Sequence, residues 1–128
     1  MSKEVLEIWH AAVSTRNADL LDDLLADDAV FFSPVVHTPQ VGKEITKRYL
    51  SAALDVLCGD TFTYTREIHD GNFACLEFDA TIDGIYINGV DLITWSDSGK
   101  ITEFKVMVRP LKAIAALREN MARHLKPG

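Results

Sequence analysis

Residues 86 to 109 read YINGVDLITWSDSGKITEFKVMVR. Phe104, Val106 and Val108 alternate with Lys105, Met107 and Arg109, the pattern of a half-buried strand. Before Ser98-Gly99, Ile85, Ile87, Gly89, Ile93 and Trp95 share one face of a second strand. Asp91 lies in the middle of that apolar face. A carboxylate there must be paired, wet or protonated, because burying a bare charge is very costly. Asp91 is therefore taken as the centre of a site.

The strand that feeds this pair runs from Phe73 to Ile82, with Ala74, Leu76, Phe78, Ala80 and Ile82 on its apolar face. Asp83-Gly84 is a strong two-residue hairpin signal. It sets Ile82 opposite Ile85, Phe78 opposite Gly89 and Leu76 opposite Asp91, so that inner residues meet inner residues. A two-residue turn at Ser98-Gly99 sets Ile93 opposite Phe104 and Asp91 opposite Val106. Upstream, a three-residue loop, Asp70-Gly71-Asn72, pairs Tyr64 with Phe78 and Ile68 with Ala74. Asn72 tolerates the left-handed conformation such a loop needs. In that register Arg66 falls on the inner face.

The rest of the chain is mostly helical. Val5, Leu6, Ile8, Trp9, Ala12 and Val13 give an amphipathic helix over residues 3 to 15. Asn17 caps a second helix with a stripe of Leu20, Leu21, Leu24 and Leu25, ended by Asp27 and Asp28. Residues 29 to 32 form a short strand, and the two prolines of residues 33 to 41 mark a loop. A third helix follows Gly42 to about Leu57, with Ile45, Tyr49, Ala52, Ala53 and Val56 inward. Pro110 opens a last helix, whose stripe is Leu111, Ile114, Ala115, Leu117 and Met121. Its basic residues, Lys112, Arg118, Arg123 and Lys126, read as cations favouring a helix C-terminus rather than as an anion site.

Composition narrows the function class. The 128 residues suit one domain, residues 1–128, and 48% apolar with 25% charged is an ordinary globular mix. A net charge of −6 argues against nucleic acid as a partner. No apolar run is long enough to span a membrane. Two cysteines, Cys58 and Cys75, make no disulfide framework and fit a cytoplasmic setting. His10, His69 and His124 have no ligand-spaced carboxylate or cysteine, so no metal is expected, nor any cofactor.

The element order α-α-β-α-β-β-β-β-α defines an α+β domain. A curved antiparallel sheet wraps around helices and leaves a cone-shaped cavity for a small apolar or amphipathic molecule. Leu76, Phe78, Trp95, Phe104, Val106 and Val108 would line it from the sheet. Leu92 and Met107, on the polar outer face, suggest a covered surface and hence a homodimer.

Three stretches, LLADDAVFFSPVVHTPQVGKEITKRYL (24 to 50), GVDLITW (89 to 95) and GKITEFKVMVRPLKAIAAL (99 to 117), resemble the nuclear transport factor 2-like superfamily, in particular its SnoaL-like and ketosteroid isomerase-like members. The resemblance implies a homodimer packed through outer sheet faces and a small-molecule pocket. It does not fix a reaction, because this fold hosts isomerases, cyclases, dehydratases, epoxide-opening enzymes and proteins without known activity. In the isomerases an aspartate base precedes a proline in the first strand's loop; Ser33 stands at that position, before Pro34. Their oxyanion-donating tyrosine on the first helix aligns best with Trp9, which can donate but lacks phenol acidity. Their protonated aspartic acid corresponds to Asp91 and their third-helix tyrosine to Tyr49. With the base missing, steroid isomerisation is not expected.

Other candidates have two readings each. His37, in the loop near the missing base, is either a replacement base or an exposed loop histidine. Arg66 either holds an anionic ligand group or snorkels from the sheet end. Tyr49 and Tyr64 either supply hydroxyls or simply pack. The sequence thus supports a ligand-binding protein or a small acid-base enzyme centred on Asp91 and His37.

Overall fold

The computed structural model describes residues 2–125, so Lys126 of the basic tail lies outside the described residues. Helix α1 (Ser2–Thr15) leads into a short 3-10 turn (Ala18–Leu20), a single helical turn α2 (Leu21–Leu24) and strand β1 (Leu25–Phe32). Strand β2 (Gln40–Val41) and helix α3 (Lys43–Val56) follow. Strands β3 (Thr63–Asp70), β4 (Phe73–Ile82), β5 (Ile85–Trp95) and β6 (Ile101–Arg109) then meander into helix α4 (Leu111–Leu125). The domain is α+β, as expected.

The sheet has six strands in the order β2-β1-β6-β5-β4-β3. It is mixed and not purely antiparallel, because β1 runs parallel to β6. This pairing joins the two ends of the chain and leaves no trace in local periodicity. Strand β2 falls within the expected loop of residues 33 to 41; with only Val30↔Val41 and Phe31↔Gln40 paired, it is too short to show alternation.

The central registers agree with the sequence reading. Asp83 (φ 53°) and Gly84 (φ 77°) form the two-residue turn, and Ile82↔Ile85, Phe78↔Gly89 and Leu76↔Asp91 are paired. Asp91↔Val106 and Ile93↔Phe104 are also as expected, although the turn is not. Ser96 N–H bonds the Lys100 carbonyl at 2.8 Å, leaving a three-residue loop with Gly99 at φ 82°. Thr102 is then an extra residue between Trp95↔Ile101 and Thr94↔Glu103. The longer loop and the bulge cancel before Asp91 is reached.

On the other side a bulge has the opposite consequence. Tyr64 faces Phe78 as read, but Arg66 faces Glu77, so Thr65 is unpaired. The loop is Gly71-Asn72, with Gly71 and not Asn72 in the left-handed region (φ 57°). Ile68 therefore faces Cys75 and not Ala74. Arg66 and Ile68 move to the outer face, and Glu67 and His69 take the inner-face positions at the exposed end of the strand.

Asn17 accepts a hydrogen bond from Asp19 N–H at 3.0 Å, the expected cap, but the helix behind it is brief. Leu21, Leu24 and Leu25 are all buried, and Leu25 already pairs with Ile101 as a strand residue. Asp27 and Asp28 thus belong to β1, at its irregularity between Leu25 and Val30. In α3 Thr46, Leu50, Ala52 and Leu54 are buried. Of the residues expected inward, Ala52 is among them and Tyr49 and Val56 pack against the core, so the inner side is as expected but widened by the line Thr46, Leu50 and Leu54. In α4, Leu111 is 82% exposed at the first turn, and Ala113, Ala116 and Leu117 face the core. Val5, Trp9, Ala12 and Val13 of α1 pack into the same core as Leu50, Leu54, Phe78 and Phe104.

Candidate functional site

A cavity of about 240 Å³ lies between the inner face of β5 and β6, helices α3 and α4, and the loop after β1. Its walls are aromatic and aliphatic: Trp9 and Phe104 meet edge-on at 4.8 Å between ring centroids, and Phe31 stacks on Tyr49 at 5.2 Å. Among the described residues Asp91 is the one acid in its lining.

Asp91 points into the cavity because strand alternation puts it on the inner face between Leu76 and Val106. It is 5% exposed. The Tyr64 hydroxyl donates to its Oδ2 at 2.6 Å, and Trp9 Nε1 donates to the Tyr64 oxygen at 2.9 Å. An indole N–H can only donate. The Tyr64 oxygen therefore accepts from Trp9, and its own proton is committed to Asp91. Burial raises the Asp91 pKa from 3.8 to about 7, against the lowering effect of the Tyr64 bond. At neutral pH the neutral and charged acids are both populated. In the neutral acid, Oδ2 is already occupied as an acceptor, so the proton belongs on Oδ1, and Asp91 offers a ligand a donor. Burial and the adjoining Asp91 together push the Tyr64 phenol well above its ordinary value, so it stays protonated. Cys58, also in the lining, is driven upward by burial and then by Asp91, against Arg16, and remains a thiol.

Trp9, Ser33, Tyr49, Phe104 and Val106 line the cavity. Tyr49, the sequence candidate for Asp91's network, stacks on Phe31, while Tyr64 makes the bond. Ser33 Oγ accepts from Val35 and Val36 N–H at 3.0 and 3.2 Å and so organises the loop at the cavity's edge. Leu76, Phe78 and Trp95 are buried core residues behind the lining. Val108 and His37 line a surface groove along β6 that adjoins the cavity at Ser33, Pro34 and Val106 and does not contain Asp91. His37 is exposed, so the geometry does not bring it to Asp91. Arg66 is also displaced: the bulge at Thr65 turns it outward, where its Nε meets Glu77 Oε1 at 2.6 Å with the side chain 80% exposed. The sequence reading missed the contribution of α4, where Leu117, Arg118, Met121, Ala122 and Leu125 close the cavity. Its signal was present in the spacing of Leu117, Met121 and Leu125, one turn apart on a single helix face.

Residues 6–104 match the SnoaL-like domain family, and the chain belongs to that family within the nuclear transport factor 2-like superfamily. The fold is similar to a crystal structure of a steroid delta-isomerase from Pseudomonas aeruginosa, with 37% identity and a TM-score of 0.92 over 97% of this chain and 90% of that one. It is also similar to an uncharacterised bacterial protein with a cystatin-like fold from Silicibacter pomeroyi, at 29% identity and a TM-score of 0.86 over 93% and 83% of the two chains. A putative SnoaL-like polyketide cyclase from Shewanella denitrificans shares the fold alone, at 14% identity and a TM-score of 0.69 over 92% and 97%. No curated protein matches the chain in sequence.

Proposed function

We propose that this protein binds a compact, largely apolar molecule through one hydrogen-bond-accepting oxygen, a carbonyl or ether, read by the neutral carboxyl of Asp91. The carrying observation is the one-way chain Trp9→Tyr64→Asp91 at the wall of an apolar cavity. Size supports a ligand of one or two rings. A cavity of roughly 150 Å³ admits benzene, and drug-sized ligands take about 300–1,000 Å³, so about 240 Å³ lies between them.

The test compares 2-acetylnaphthalene with 2-isopropenylnaphthalene, which has the same shape but no oxygen, by calorimetry at pH 6. The ketone is expected to bind about tenfold tighter, the worth of one hydrogen bond in a dry site. Asp91→Asn keeps that preference, because its carbonyl accepts from Tyr64 and its amide donates to the ligand. Asp91→Leu abolishes it. Equal binding of the two probes to the unaltered protein would refute the role given to Asp91.

The second reading is an enzyme, an isomerase, cyclase or hydrolase, that uses Asp91 as a general acid on an apolar oxygenated substrate. A carboxyl titrating at about 7 favours it, since such a group exchanges its proton at working pH. The similar steroid delta-isomerase suggests a direct assay. Turnover of a 3-oxo-Δ5-steroid is expected to stay at background, because Ser33 cannot take the substrate proton as a carboxylate does. Ser33→Asp supplies the missing base and is expected to raise turnover. Activity in the unaltered protein would overturn the inference.

Assembly belongs to the same proposal: a second copy covers the outer sheet face. The bulge at Thr65 supports this by adding Ile68, 68% exposed, to the row that contains Cys75 and Leu92, with Met107 51% exposed nearby.

A further inference from the structure

The cavity carries one cation. Arg118, on α4, is the single basic side chain in the lining, and it is exposed. Helical spacing puts it on the same edge of α4 as Ala122, one turn on, which also lines the cavity. Among the described residues Arg118 has neither an ion-pair nor a hydrogen-bond partner. Its helical neighbours at three and four residues are Ala115, Ile114, Met121 and Ala122, none of them acidic. Glu119 is adjacent in sequence and does not face it. The chain has 19 acidic residues against 13 basic ones, yet Asp91 is the one acid that the described cavity contains. An acidic protein would repel an anion from most of its surface and accept it here.

We propose that the ligand is a carboxylic acid, with its neutral oxygen against Asp91 and its carboxylate held by the Arg118 guanidinium. This deepens the binding reading above and rests on it. The two polar groups differ in kind: Asp91 supplies a single donor in a dry site, and Arg118 offers a planar fork of donors that matches a carboxylate. The apolar walls between them measure the body of the ligand. Among the described residues the Arg118 guanidinium has no ion pair to break before it engages, and its charge draws the anion toward the cavity.

The experiment uses 2-acetylnaphthalene and a series of 6-acetyl-2-naphthyloxy acids with one to four methylenes before the carboxylate, each paired with its methyl amide. Affinity is measured by calorimetry at pH 6 and low ionic strength. At least one acid is expected to bind about twofold to fivefold tighter than its amide, the upper part of the range for an exposed charge pair, and to lose most of that advantage at about 0.5 M salt. Arg118→Gln brings the ratio of acid to amide to one, and Arg118→Lys keeps part of it. Arg118 is exposed, so neither variant threatens the fold. If 2-acetylnaphthalene binds while every acid is no tighter than its amide, the carboxylate assignment is wrong and the cavity binds neutral molecules. An acid preference that survives Arg118→Gln also overturns it, by placing the anion elsewhere. If 2-acetylnaphthalene itself does not bind, the binding reading fails and the carboxylate assignment fails with it.

Discussion

Asp91 illustrates how one side chain's surroundings set its chemistry. Leu76 and Val106 flank it across the sheet, and Tyr64 supplies its hydrogen bond. Its folded pKa of about 7 lies above the unfolded value near 3.8, so folding favours the neutral acid. Stability from this group is complete below about pH 4, falls as pH rises, and levels off above about pH 7, with a total loss on the order of 4 kcal/mol. Asp91→Asn is expected to flatten that dependence, measured as denaturant unfolding free energy from pH 4 to 8. Asp91→Leu is expected to be more stable than the unaltered protein at pH 8. It removes the buried charge and leaves the Tyr64 hydroxyl without its acceptor, at a cost of about 1–3 kcal/mol, which is smaller than the gain. A carboxyl carbon shift for Asp91 with a midpoint near 4 would contradict both expectations. The residue was legible in the sequence because a lone acid on an apolar strand face is anomalous. Its partner was not: Tyr49 and Tyr64 both carry a hydroxyl toward the interior, and only the packing of α3 against β1 lays the Tyr49 ring on Phe31.

Strand β5 depends on close approach at Gly89. A Cβ there would lie 2.6 Å from Phe78 Cζ and 2.7 Å from the Met107 carbonyl oxygen. The Phe78 ring can turn, but the backbone of β6 cannot yield without disturbing the ladder that places Val106 opposite Asp91. Gly89→Ala is expected to destabilise the fold by about 1–3 kcal/mol, read as a lowered denaturation midpoint at unchanged slope. An unchanged midpoint would show that the sheet relaxes more freely than its packing implies. The hairpins divide in the same way between local and distant causes. Asp83-Gly84 specified its own turn, since Asp and Gly accept positive φ at both central positions. The bulge at Thr65 has no such signature, and it moved Arg66 out of the candidate site.

The molecule presents two faces of different character. Inside, α1, α3 and α4 pack on the sheet around the cavity; outside, apolar residues sit among charged networks. Arg66 pairs with Glu77, and Asn88 bridges Glu77 and Asp79 at 3.0 and 2.9 Å. Such pairs would suit the rim of the proposed interface, with Leu92 and Met107 at its middle. Light scattering at micromolar concentration is expected to give the mass of a homodimer, and Met107→Lys to give a monomer. A monomer for the unaltered protein would remove the assembly proposal without touching the cavity. No helix of the described residues is long and apolar enough to cross a membrane.

Strand alternation put Asp91 on the inner face, and the Asp83-Gly84 turn set it opposite Leu76, because a short hairpin loop fixes its own register. It stands opposite Val106 as expected only because the longer loop and the bulge at Thr102 cancel. Periodicity also carried the α+β order, while the family resemblance rested on the motifs of residues 24–50, 89–95 and 99–117. The parallel closure of β1 on β6, the cancelling bulge at Thr102 and the uncancelled one at Thr65 depended on packing between distant segments. So did the choice of Tyr64 over Tyr49, the outward turn of His37, and the position of Arg118 at the cavity's rim. These follow from how the helices settle on the twisted sheet, where many weak nonlocal contacts act together and no single segment of chain specifies the outcome.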